Sequence, residues 1–136
     1  MKLITLLLFT QLSFASIGGK WIGEGVAKTP KSTQKCSQIY FKLFYDASKF
    51  KIQEGGYNCN GLSAEYPYSV FEVRGPLLYY KGEVSGFINN DELTIYSKED
   101  GFTLRFYFVA EDEVEVSETW QEGSDYLTIK STLFRK

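Results

Sequence analysis

The chain has 136 residues, 43% of them hydrophobic and 17% aromatic, with 12 glycines, 3 prolines and no histidine. This composition excludes a disordered or linker-like chain and bounds the protein to one domain with a sizeable apolar core. A balance of 15 basic and 17 acidic residues gives no basic surplus for nucleic acid. Without histidine, the commonest general base, metal ligand and haem ligand are all missing, so an enzyme is not expected.

Residues 1–15 read as a secretory signal. Met1 and Lys2 start it, residues 3–9 are an apolar run, and Ser13 and Ala15 are the small residues that a signal peptidase reads. The run is shorter than the roughly twenty apolar residues of a membrane span. Residues 16–136 then form the single mature domain, expected in a periplasm or outside the cell and not spanning a membrane. No cysteine lies near the cleavage point to take a lipid.

Strand follows strand along the rest. Residues 20–28 open the series, and a hairpin is expected from 38–45 and 49–53, where apolar and polar residues alternate on either side of Asp46, Ala47 and Ser48. If Tyr45 faces Phe50 and Leu43 faces Ile52, the numbers of facing residues add to 95, as do those of Cys36 and Cys59. The two cysteines are therefore expected to face each other and to form a disulfide in an oxidising compartment. A bulge at Gly55 or Gly56 would move the register by one and still leave them neighbours. Further strands are expected over 66–74, 77–88 with a break near Lys81 and Gly82, 93–97, 102–109, 113–120 and 126–135. Turn residues punctuate them at 74–76, 89–91, 98–101, 110–112 and 121–124.

Connections this short join antiparallel neighbours. The fold class expected is all-β, an up-and-down meander of eight to ten strands closed into a barrel, since closure removes both sheet edges. Alternation points Trp21, Phe41, Leu43, Phe50, Ile52, Tyr80, Val84, Leu104, Phe106, Phe108, Val116 and Trp120 inward. It points Lys42, Lys51, Glu72, Thr94, Arg105 and Glu115 outward, and a polar exterior argues against a membrane barrel. Two acids break the pattern, because Glu54 continues the face of Phe50 and Ile52 and Glu118 that of Val114 and Val116. An inward carboxylate needs a partner or a shifted pKa.

Gly19, Trp21, Gly23, Gly25 and Pro30 resemble the G-x-W-x-G-x-G opening of nitrobindin-like barrels, and Gly19 with Trp21 the G-x-W of lipocalins and fatty-acid-binding proteins. These are calycin-type barrels. The resemblance implies an up-and-down barrel with a ligand inside and a cation, here Arg135, over the first-strand tryptophan. It implies no haem, since the nitrobindin-like ligand is a histidine. Physically, Trp21 plugs one barrel end, and Gly23 and Gly25 leave room for a sharp bend or for a close neighbour.

The candidate binding residues are Phe41, Phe50, Phe106 and Phe108 as an aromatic wall, with Glu54 and Glu118 as its polar spot. They suit a small hydrophobic or amphipathic molecule, neutral or cationic in preference to a fatty acid, and no cofactor is expected. Glu54 and Glu118 as an acid and base pair would require a shared cavity. Glu111, Asp112, Glu113, Glu115 and Glu118 lack the loop spacing of a calcium site. The alternative function is an interaction or inhibitor protein acting through its outer surface or rim loops, where Tyr57, Asn58, Asn60, Tyr66 and Tyr68 would meet a protein partner.

Overall fold

The computed structural model describes residues 17–136. The signal segment expected over residues 1–15 lies outside them. Eleven strands run in chain order: β1 (Gly19–Lys28), β2 (Thr33–Tyr45), β3 (Lys49–Cys59), β4 (Leu62–Glu65), β5 (Ser69–Arg74), β6 (Leu77–Tyr80), β7 (Glu83–Asn89), β8 (Glu92–Ser97), β9 (Phe102–Ala110), β10 (Glu113–Glu122) and β11 (Asp125–Arg135). Apart from β4 and β5, which both pair with β3, each strand pairs with the next in an antiparallel meander, and β1 also pairs with β11, so ten strands close into a barrel. The extra strand, β4, pairs with the end of β3 in the register that β5 keeps with its beginning. β4 and β5 are thus one strand interrupted at residues 66–68, where a continuous run over 66–74 was expected. Two-residue turns tighten the meander. Asn60 and Gly61, and likewise Lys81 and Gly82, take positive φ, the conformation such hairpin turns require.

One end of the barrel is sealed. Trp21 is 1% exposed, with its indole N–H donating to the Ile17 carbonyl at 3.2 Å and the Arg135 guanidinium 4.3 Å from its ring. Arg135 also donates to the carbonyls of Gly18 and Glu111, which ties the end of β11 across the plug. Gly23 and Gly25 are required by the close approach of β11. A Cβ on Gly23 would stand 2.1 Å from the Thr132 carbonyl, and one on Gly25 would stand 2.2 Å from that of Lys130. Their role is therefore strand packing, and β1 also bulges against β2 between them.

Above the plug the interior is aromatic and filled. Phe41 and Phe50 pack against Phe106 at ring distances of 5.1 and 6.4 Å, Phe106 lies along Phe108 at 6.3 Å, and Phe108 meets Trp21 at 5.8 Å. The disulfide joins Cys36 to Cys59, both buried, with their Cα atoms 3.9 Å apart.

The hairpin register departs from the expected one at a single bulge. Tyr45, Phe44 and Leu43 face Phe50, Lys51 and Ile52, but Lys42 faces Glu54, so Gln53 is the extra residue. The bulge lies two residues before Gly55, and it corrects one expectation. It turns Glu54 to the outer surface, where its carboxylate lies 3.8 Å from Lys42 Nζ and is largely exposed.

Candidate functional site

The other end of the barrel is an open cup of about 1010 Å³. Its walls come from β3, the end of β4, the 66–68 interruption, β5, the turns after β6 and β8, the start of β7, the end of β8, the start of β9 and the end of β10. Strand alternation stacks two interior rows there. Leu104, Glu118 and Ile129 stand abreast on β9, β10 and β11, and two residues nearer the mouth so do Phe102, Trp120 and Leu127. Phe102 and Trp120 pack at 4.5 Å, and Trp120, though inward as expected, is 40% exposed because it forms the rim. Tyr80 and Val84, expected inside, are also exposed at the mouth. Here β7 leaves its neighbour: its ladder with β8 begins only at Gly86, and Ser85 is bulged against β6.

Glu118 is the cup's buried charge. It is 4% exposed and framed by Leu104, Ile129 and Val116, and Trp120 Nε1–H donates to its Oε2. Burial among apolar neighbours disfavours the carboxylate and pushes its pKa up to about 7, against the opposing hydrogen bond from Trp120. Tyr57 lies on the facing wall, and its phenol is pushed up to about 12 by burial and by the negative charge of Glu118. Tyr66 packs its ring on Phe41 at 5.0 Å and lines the same cavity.

Of the six expected wall residues, only Glu118 lines the cup. Phe41, Phe50, Phe106 and Phe108 are 0–7% exposed and pack ring against ring in the barrel beneath it. Glu54 lies outside, so the two carboxylates share no cavity and do not form an acid and base pair. The apolar wall is made instead by Ile52, Phe71, Ile95, Leu104, Phe102 and Trp120. Alternation marked Ile52, Leu104 and Trp120 among these as inward. What it could not supply was their height along the barrel.

The charge of the cup is mainly negative. Around Glu118 the mouth carries Glu65, Glu83, Glu99 and Asp100 against Lys81 and Lys98. None of the three arginines lines it. Arg105 is on the outer face, paired with Glu92 at 2.8 Å, Arg74 is paired with Glu72 at 2.8 Å, and Arg135 is at the sealed end. Among the described residues no group of three His, Cys, Asp or Glu side chains is arranged to hold a metal ion, and no helix is long and apolar enough to cross a membrane.

No protein-family model and no curated protein sequence matches the chain. Solved structures do. An S-type phycobiliprotein lyase, CPES, from Guillardia theta is similar over 96% of this chain and 92% of its own, with 12% identity and a TM-score of 0.60. A Nostoc punctiforme protein of unknown function from the DUF3598 family is similar over 90% of this chain, with 10% identity and a TM-score of 0.63. The chain spans 49% of the length of that second protein. At these identities the likeness is one of fold, the closed antiparallel barrel.

Proposed function

We propose that this chain is an exported, non-catalytic barrel that holds a small amphipathic molecule in its open cup. The observation that carries the reading is a cavity of about 1010 Å³ whose wall is apolar and aromatic and whose buried polar group is the carboxylate of Glu118. A concave, mostly apolar pocket with a few convergent polar groups is the usual form of a small-molecule site. Export is supported by the signal-like start and by the disulfide. The ligand's apolar body lies against Phe71, Ile95 and Leu104, with a flat portion against the Trp120 and Phe102 rings at the rim. Its polar end is neutral or cationic, because a ligand carboxylate would meet Glu118 without an arginine to receive it.

The test is calorimetric titration of the mature protein at pH 8 with undecylamine, undecan-1-ol and undecanoate. The expected order of affinity is amine, alcohol, acid. Tightest binding by the acid refutes the polarity of the site, and no binding by any of the three refutes the small-molecule reading. The second reading, a protein partner held by the outer surface or rim, is favoured by two exposed aromatic side chains, Tyr68 at 60% and Trp120 at 40% exposure. Aromatic side chains exposed at a rim suit an interface.

A further inference from the structure

We propose that the outer face formed by β3, β2, β1 and β11 docks the barrel on an anionic lipid surface, independently of what the cup holds. Charge is divided unevenly around the barrel. Residues 60–125 hold fourteen of the seventeen acidic residues and four basic ones, whereas residues 19–59 and 126–136 together hold ten basic residues and three acidic. The strands of these two segments are neighbours in the sheet, in the order β3, β2, β1, β11, so the basic surplus gathers on one side.

Strand register sorts the outward side chains of that side into rows. Lys20 stands beside Lys42, Ile22 between Tyr40 and Phe134, and Val26 between Lys35 and Lys130. Apolar side chains are thus interleaved with ammonium groups, and Ile22, Val26 and Phe134 are 45%, 43% and 51% exposed. Lys42 meets Glu54 at 3.8 Å, while Lys20, Lys35 and Lys130 have no ion-pair partner among the described residues. Glu24, between Ile22 and Val26 on β1, is the opposing charge at the centre. Lysines near a membrane are drawn to anionic headgroups, and exposed apolar side chains between them gain from the acyl boundary below. A soluble polyanion would meet the charge and leave Ile22 and Val26 in water. Neither of these aliphatic side chains offers the flat ring on which a nucleic-acid base stacks. The acidic strands β4 to β10 then turn away from the surface.

The test is co-sedimentation of the mature protein with vesicles of phosphatidylcholine alone and of equal parts phosphatidylcholine and phosphatidylglycerol. Binding is expected to the anionic vesicles only, weakening as salt is raised. Lys20→Gln, Lys35→Gln and Lys130→Gln together are expected to weaken it about a hundredfold, at about fivefold for each charge near the surface. Glu24→Gln removes the opposing charge and is expected to tighten binding about fivefold, a gain that a poorly folded variant would not give. Ile22→Ser with Phe134→Ser is expected to weaken binding about tenfold at unchanged salt dependence. Equal binding to both kinds of vesicle, or none to either, overturns the proposal. Anionic binding that the two serine substitutions leave unchanged makes the face a reader of charge alone and overturns the lipid assignment. Salt-sensitive self-association without vesicle binding gives the face to the acidic side of a second copy. Binding in the cup is read by the separate titrations above, so either result can fail while the other stands.

Discussion

Replacing Glu118 by glutamine isolates the cost of a carboxylate inside the cup. In the folded chain its pKa stands at about 7 against an ordinary value of 4.5. From pH 4.5 to about 7 the folded state therefore holds a proton that the unfolded state has lost, and stability falls as pH rises through this window. The difference is worth about 3 kcal/mol, at about 1.4 kcal/mol for each pH unit of displacement. Glutamine keeps an oxygen for the Trp120 N–H but cannot ionise, so Glu118→Gln is expected to lack this loss. Urea denaturation of both proteins, followed by far-ultraviolet circular dichroism at half-unit steps from pH 4.5 to 8, reads it directly. Relative to the wild type, the variant should gain about 3 kcal/mol across the range. With a urea slope of about 1–3 kcal/mol per molar, the relative midpoint moves by about 1 to 3 M. A difference between the two proteins that does not change with pH refutes the argument, since it would show a carboxylate as well solvated folded as unfolded. Exposed carboxylates, Glu54 among them, belong to both proteins and cancel in the comparison.

Reduction of the Cys36 and Cys59 disulfide is expected to lower stability by about 3 kcal/mol, from the chain freedom regained by a loop with a sequence separation of 23; denaturation with and without reductant measures it, and equal midpoints would show that the link constrains nothing. Trp21→Ala is expected to cost about 3–5 kcal/mol through loss of a large, fully buried side chain. An unchanged denaturation midpoint and slope would show that the sealed end is not built on this ring.

Period-two alternation was enough to read most of the barrel, because a strand whose inner face is buried cannot hide its register. Trp21, Leu43, Leu104, Phe106 and Val116 are buried as their alternation requires. It misled at Glu54 because alternation holds only while pairing is regular. One extra residue, Gln53, reverses every later side chain on that strand, and no residue type in the stretch announced the bulge at that position. The short strand Leu62–Glu65 was missed for a related reason. It has a single large apolar residue and is largely exposed, so it owes its form to β3 beside it and not to burial. Glu118 was legible as an inward acid. Tyr57 and Tyr66 were read as rim residues, and their place on the cavity wall follows from the bulge at Gln53 and from the interruption after β4.

The placement of the four phenylalanines explains how the chain can tolerate a buried acid. Height along the barrel divides the interior into a lower part that packs and an upper part that stays open. Below, Trp21, Phe41, Phe50, Phe106 and Phe108 form a continuous ring-on-ring core, each nearly or fully buried. A fully buried aromatic side chain stabilises by several kcal/mol when judged by its removal, so the loss of one is comparable to the cost of ionising Glu118. The sealed half and the disulfide can therefore offset a charge that the open half holds in poor solvation. The same reasoning fixes where the cost can be recovered. A cation or N–H donor entering the cup meets Glu118 where water is scarce, and it stabilises the folded state most above pH 7, where the carboxylate is ionised and unligated stability is lowest. Binding of undecylamine should thus strengthen from pH 5.5 to 8 in the wild type and stay level in Glu118→Gln, so the pH dependence of stability and that of affinity run in opposite directions from one proton.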